Sequence, residues 1–159
     1  PRRVQPAELV EDVLAVFASR LRNKSITVDR RLNRNCELSV VDGELRQAIT
    51  NLVSNSIDAV ATGGNIRVRV GYVERNARNG VRIAVIDDGP GIAPENLSRI
   101  FEPFFSTKPE TGTGIGLSVT KEIVEKHDGF IRVRSSMRDG QSWTAFSIFL
   151  PDAAKSSAN

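Results

Sequence analysis

The chain has 159 residues, 40% apolar and 26% charged, with a formal net charge of +3. This is the composition of a globular domain with a sizeable core. It excludes a bilayer span, since no apolar run approaches ~20 residues, and the N-terminal PRRVQPAELVEDVL lacks the layout of a signal peptide. The single Cys36 excludes an internal disulfide and is expected to be a buried free thiol, in keeping with a reducing compartment. The basic residues are scattered, without the aromatic interleaving of a single-strand binder or a basic stripe on any helix, so they fit a nucleotide better than a nucleic acid. The chain begins without Met and is expected to be a domain excised from a longer protein.

Residues 6–22 carry Leu9, Val13, Val16, Phe17 and Leu21 at helical spacing, which predicts an amphipathic helix. Residues 25–32 alternate as a strand, and 37–41 form a second short one. Asp42 is the expected N-cap of a central helix over 42–60, DGELRQAITNLVSNSIDAV. At about 100° per residue, Leu45, Ala48, Ile49, Leu52, Val53, Ile57, Ala59 and Val60 share one broad arc. Glu44, Gln47, Asn51, Asn55 and Asp58 form a narrow stripe opposite. Such a row of amides and carboxylates either lines a polar cavity or is a solvated face.

Thr62-Gly63-Gly64 stops the helix, and 65–73 alternates Ile66, Val68 and Val70 against Arg67 and Arg69. A polar turn over 74–80, closing on Asn79-Gly80, and a returning strand over 81–86 make a hairpin. That strand runs straight into Asp87-Asp88-Gly89-Pro90-Gly91-Ile92. Residues 93–113 hold a helical turn over 94–100, the cluster FEPFF at 101–105, and STKPETGTG; the prolines and glycines mark a mobile connection. A helix over 114–126 turns Ile115, Val119, Ile123 and Val124 inward, and Asp128-Gly129 ends it. His127 at that end reads as a residue favourable to the helix dipole rather than as a phosphoacceptor. Two further strands, 130–135 and 143–150, precede a polar tail. The order predicts an α+β fold: a two-layer sandwich of a mixed, mostly antiparallel sheet with about three helices on one face.

Three stretches can carry chemistry. A carboxylate at the end of a buried strand, Asp87, needs a partner; it only accepts hydrogen bonds, which suits an exocyclic amine such as that of adenine, and Gly89 and Gly91 would let a flat ring approach the backbone. The alternative is a tight Asp-Gly turn. Gly112-Thr113-Gly114-Ile115-Gly116 opens a helix, where free N–H groups and the positive dipole end suit phosphates; the alternative is a linker with a helix cap. Asn55 could give a carbonyl oxygen to Mg²⁺, a hard cation that shares its ligands with substrate phosphates. Asn51 lies one turn earlier, and neither amide can act as a general base.

Together these stretches resemble the catalytic, ATP-binding domain of bacterial sensor histidine kinases, within the GHKL superfamily. Four boxes stand in family order: NLVSNSIDAV (51–60), DDGPGI (87–92), FEPFF (101–105) and GTGIGL (112–117). The resemblance implies the GHKL fold over 1–151 with a C-terminal tail at 152–159, ATP and Mg²⁺ as cofactors, and a mobile ATP lid over about 93–113. It implies that Asn55 ligates Mg²⁺ and Asn51 lines the phosphate end. Asp87 would bind the adenine amino group in a pocket shaped by Gly89, Gly91, Ile92, Phe101 and Thr144. Gly112, Thr113, Gly114, Gly116 and Leu117 would form the phosphate-side hinge. Asp58 stands where many family members have Lys or Arg, so Lys108 is the expected replacement, a point charge reaching the β- or γ-phosphate beside Asn55 in the catalytic role. The usual Gly before Thr144 is replaced by Trp143.

The implied activity is transfer of the ATP γ-phosphate to a histidine on an upstream dimerisation domain absent from this chain. From there it passes to a response-regulator receiver domain, with no nucleic acid involved. The isolated domain would be a cytoplasmic monomer and the intact protein a homodimer. The GHKL hydrolases place a glutamate one turn before the metal asparagine to activate water; that position is Asn51, which points to kinases. The same boxes also fit a serine-directed anti-sigma kinase, or a nucleotide-sensing module without transfer activity.

Overall fold

The computed structural model describes residues 1–105 and 115–152. Its main layer is a five-stranded sheet built from β2 (Thr27–Leu32), β4 (Asn65–Arg75), β5 (Arg78–Asp87), β7 (Trp143–Pro151) and β6 (Phe130–Ser136), in that spatial order. β1 (Arg2–Val4) and β3 (Leu38–Val40) form a separate antiparallel pair. Every pairing in the main sheet is antiparallel except β2 with β4, which runs parallel from Thr27↔Asn65 to Leu32↔Val70. A parallel pair needs a crossover, and the helix α3 (Asp42–Ala59) supplies it.

The alternation seen in the sequence sorts the sheet into two faces. Ile66 and Val68 of β4, Ile83 and Val85 of β5, and Phe146 and Ile148 of β7 are fully buried. They join Leu45, Ile49, Leu52 and Val53 of α3 and Val124 of α5 (Gly116–Lys126) in one cluster. Each such side chain contributes about 1.5–3 kcal/mol when removed from water, so the broad apolar arc of α3 fixes its rotation and turns the polar stripe away from the core. Cys36, the single cysteine of the chain, is buried.

Several boundaries differ from those the sequence predicts. The first helix is two, α1 (Pro6–Val16) and α2 (Ala18–Asn23), broken at Phe17, where ψ is 8°. With the short α4 (Pro94–Leu97) there are five helical segments among the described residues. Val41, not Asp42, is the N-cap of α3; Asp42 lies in the first turn, its carboxylate held below the usual range by its hydrogen bond to Arg2. The β4–β5 turn lies at Asn76-Ala77, both with positive φ, as a two-residue hairpin of this hand requires. Asn79-Gly80 belongs to β5, because Gly80 fills a place with no room for a side chain: a Cβ there would lie 2.4 Å from the Leu150 carbonyl oxygen.

Candidate functional site

The polar stripe of α3 divides into three different environments. Asn51, Asn55 and Asp58 are all half-buried. Asn51 Nδ2 donates to the Gly116 carbonyl at 3.0 Å and to Thr120 Oγ1 at 3.2 Å, and the Thr120 hydroxyl donates to the same carbonyl at 2.8 Å. Asn51 therefore ties α3 to the first turn of α5. One turn further on, the Asn55 side chain makes no hydrogen bond among the described residues, which leaves its amide oxygen available as a ligand. Asp58 accepts a hydrogen bond from Arg20 of α2 and forms an ion pair with it.

Asp87 ends β5 on the helix-facing side, paired across the ladder with Ile66 and Thr144. It is 2% exposed, and its Oδ1 accepts the Gly89 N–H at 2.9 Å. The turn that follows packs against the end of α3: a Cβ on Gly89 would lie 2.9 Å from the Ala59 carbonyl oxygen. Asp87 and the half-buried amides thus share one region, the C-terminal end of α3 and the end of β5. Asp88 is occupied elsewhere, accepting from the Asn65 backbone N–H and from Asn65 Nδ2.

Gly91 has φ +82° and lies so close to β6 that a Cβ would be 2.3 Å from the Ser136 carbonyl oxygen. The neighbouring Ile92 N–H donates to Ser135 Oγ at 2.7 Å. Ser135 in turn donates to the Trp143 carbonyl, and Thr144 Oγ1 lies 3.1 Å away. With the Ser135 proton given to Trp143, Thr144 is the donor in that last pair. Ser135 is thus the knot that joins the Asp87 turn, β6 and β7. It was not among the sequence candidates, nor was Thr120. The readable signal for Ser135 was a polar residue on the inward phase of a strand otherwise filled by Ile131 and Val133; for Thr120, a hydroxyl four residues after Gly116 on the inward face of α5.

Ile92 and Leu117 are partly buried against the core, and Phe101 packs edge-on against Phe146, with centroids 6.4 Å apart and Lys121 Nζ 5.8 Å from its ring. α5 begins without a side-chain cap, so its first N–H groups depend on another partner. Lys108, Gly112, Thr113 and Gly114 lie outside the described residues.

His127 is at the C-cap of α5, as its position implies, but its contacts are hydrogen bonds rather than a charge on the dipole. Nδ1 lies 2.7 Å from the Ile123 carbonyl, and Nε2 accepts the Val41 N–H at 3.2 Å. A carbonyl only accepts and a backbone N–H only donates, which fixes a neutral ring protonated on Nδ1. Beside it, Lys126 donates to Glu44 at 2.9 Å, and that hydrogen bond holds the Glu44 carboxyl below its usual range. The N-terminus of α3 and the C-terminus of α5 are thereby joined twice.

No three His, Cys, Asp or Glu side chains among the described residues gather into a metal site. A divalent cation here would take its oxygen ligands from an amide, from water and from the bound molecule itself, the donor set Mg²⁺ accepts in nucleotide complexes. Asn55 fits that set. Asp87 can recognise a hydrogen-bond donor, its Oδ1 being oriented by the Gly89 N–H.

A family model described as histidine kinase-, DNA gyrase B- and HSP90-like ATPase matches residues 40–154. The sensor histidine kinase ZraS of Escherichia coli (strain K12) is 42% identical over 115 residues, covering 72% of this chain and 23% of that protein. The chain spans about a fifth of the length of the ZraS relatives it matches. Among solved structures, the nucleotide-free catalytic domain of histidine kinase ThkA superposes with a TM-score of 0.81 at 28% identity, covering 94% of each chain. ThkA in complex with the response regulator protein TrrA gives 0.77 at 26% identity, covering 96% of this chain and 42% of that one.

Proposed function

The chain belongs to the histidine kinase-, DNA gyrase B- and HSP90-like ATPase family, and on that premise we propose that it is the ATP-binding catalytic domain of a two-component sensor histidine kinase. The observation that carries the reading is the buried Asp87, oriented by Gly89 in a turn packed against the Ala59 end of α3, the helix that carries the half-buried amide of Asn55. In this reading Asp87 accepts a hydrogen bond from the adenine amino group, and Ser135 and Thr144 hold the surrounding wall through Ile92. Asn55 offers its amide oxygen to Mg²⁺, which supplies charge neutralisation on the phosphates. Asn51 positions the first turn of α5, whose uncapped N–H groups face the phosphate end together with Gly112, Thr113, Gly114 and Gly116. Lys108 adds a positive charge there, and Phe101 and Leu117 support the apolar side. Phosphoryl transfer of this kind rests on positioning and charge stabilisation.

Kinase rather than hydrolase follows from Asn51. An amide cannot take a proton from water, and its nitrogen is already committed to Gly116 and Thr120. The nucleophile is then a histidine of an upstream dimerisation domain, which makes the intact protein a homodimer, and a response-regulator receiver domain is the next acceptor. The need for ATP and a single cysteine, which leaves no disulfide within the chain, support a cytoplasmic location for this domain. No helix among the described residues is long and apolar enough to cross a membrane.

The test supplies the chain with the dimerisation domain of its own full-length protein, Mg²⁺ and γ-labelled ATP. Acid-labile label on the dimerisation domain is the expected result. Release of inorganic phosphate at the same rate with and without that domain, leaving it unlabelled, would establish a hydrolase instead.

A further inference from the structure

The sheet face opposite the helices carries a charge pattern that the ATP site does not use. The pairing register gives two successive rows across four strands. One reads Arg67, Ile86, Ala145, Arg134; the next reads Arg69, Ala84, Ser147, Arg132. Each row has an arginine on either flank and short or apolar residues between. Arg31 of β2 stands beside Arg69, and Arg82 of β5 lies in the row beyond. Arg75 and Arg78 pair further along the same phase, so eight arginines against Asp29 give this face +7, more than the +3 of the whole chain, and everything else sums to −4.

These arginines are not spent on carboxylates. Of the eight, only Arg69 is in an ion pair among the described residues, with Asp29 at 3.1 Å, and Arg132 lies over the Phe130 ring at 4.9 Å. By contrast Arg3, Arg20, Arg30 and Arg46, away from this face, are each paired with a carboxylate. Like charges held unpaired on neighbouring strands repel one another, a cost that a complementary partner would remove.

We infer that this face is a docking trough for an acidic α-helix of a protein partner. The flanking strands β4 and β6 are three strand spacings apart, about 14 Å, and a helix with its side chains is about 10–12 Å across. Along each flank the arginines are two residues apart, about 6.7 Å, close to the ~6 Å between positions i and i+4 of a helix. Glutamates at that interval along both edges of a helix would meet Arg67 and Arg134, which are in no ion pair among the described residues, and Arg132, whose guanidinium lies over the Phe130 ring at 4.9 Å, while Arg69 stays with Asp29; guanidiniums bind carboxylates in a fork. Between the flanks only the short, half-buried Ala145 and Ser147 reach the surface, with Ala84 1% exposed beside them, so no bulky side chain keeps a helix backbone away. Single-stranded nucleic acid would need stacking platforms, but Phe130 and Phe149 stack on each other at 5.1 Å. Membrane insertion would need grouped apolar side chains, and on this face only Trp143, 38% exposed at one end, is large, apolar and accessible. The inference is independent of the proposed kinase activity.

The probe is a fluorescein-labelled, 21-residue alanine-based helix with glutamates at i, i+4 spacing on two edges, followed by anisotropy and by amide chemical shifts of the chain. Saturable binding is expected, with shifts at Ala84, Ala145 and Ser147. Affinity should fall at least tenfold between 25 and 300 mM salt, as for any charge-steered contact, and at least tenfold in Arg67→Gln/Arg134→Gln. Arg22→Gln, on α2, should leave it unchanged. Undiminished affinity in a double variant that melts like the wild type overturns the proposal. If that variant does not fold, the lysine-for-glutamate peptide decides in its place, since equal binding of it refutes a charge-read trough. Equal binding of unstructured polyglutamate refutes the helix, and tighter binding of a 20-mer of deoxythymidine or of phosphatidylserine vesicles assigns the face to a different partner.

Discussion

Replacing Asp87 by Asn changes one atom and tests the centre of the site. The carbonyl oxygen of the new amide can keep the Gly89 N–H that Oδ1 now accepts at 2.9 Å. Its NH₂ then occupies the other oxygen's place and meets the adenine amino group donor to donor. A hydrogen bond to a charged group is worth about 1.5–3 kcal/mol, and a buried donor left unmatched costs about 1–3 more. Since Asp87 is 2% exposed, water cannot relieve the mismatch, and the two effects together come to about 3–4 kcal/mol. That is a loss of roughly two to three powers of ten in ATP affinity. Guanine presents a carbonyl where adenine has its amine, so GTP should weaken less or bind better. Calorimetry with Mg·ATP and Mg·GTP reads both effects, and a melt without nucleotide separates them from unfolding. ATP affinity within threefold of wild type in a folded variant would refute the adenine role of Asp87.

Three other outcomes check separate parts of the structure. Asn55→Ala should make ATP affinity independent of Mg²⁺ in titrations with and without EDTA; persistence of the metal dependence removes Asn55 from the ligand set. Gly91→Ala forces a side chain into φ +82°, about 1–2 kcal/mol, and sets a Cβ 2.3 Å from the Ser136 oxygen. A total near 3 kcal/mol, or roughly 10 °C in Tm for a chain of this size, is expected by calorimetry, and a shift under 2 °C contradicts the close packing. Glu44 is held below its ordinary value of 4.5 by Lys126. Its contribution is therefore fully present above about pH 4.5 and is lost as pH falls through the lowered value. Urea midpoints of Glu44→Gln and wild type should differ at pH 6 and converge as pH falls through the lowered value; a constant gap would mean that the pair does not titrate with folding.

Most of the fold was legible because its signals are local and periodic. The apolar arc of α3 and the alternation in β4, β5 and β7 are repeated over enough residues to fix element, face and order. The candidate site was legible as motifs, since Asn55, Asp87 and Gly91 lie within stretches whose spacing already carries chemical meaning. What the sequence hid were relations between distant segments. The spacing shows Asn51 on the polar stripe of α3, but not that its amide also reaches Gly116 and Thr120 on α5. Ser135 acquires a role only when Ile92 is folded against β6. The turn at Asn76-Ala77 was masked by a stronger local signal, Asn79-Gly80, whose glycine is needed for packing instead. The arginines of the open face appeared scattered because each strand contributes only a few of them; only the register brings Arg67 level with Arg134.

The one parallel pairing also sets the order in which the domain must assemble. β2 and β4 lie side by side only after the chain has closed a long loop over all of α3, an entropic cost met before any of the crossover's contacts form. The hairpins β4–β5 and β6–β7 pair locally and do not face it. If the helix that carries Asn51 and Asn55 docks together with that pairing, a nucleotide held by those residues has nothing to hold in the folding transition state. Ligand should therefore leave the refolding rate nearly unchanged and act on the unfolding rate alone, so that occupancy lengthens the lifetime of the native domain without hastening its birth.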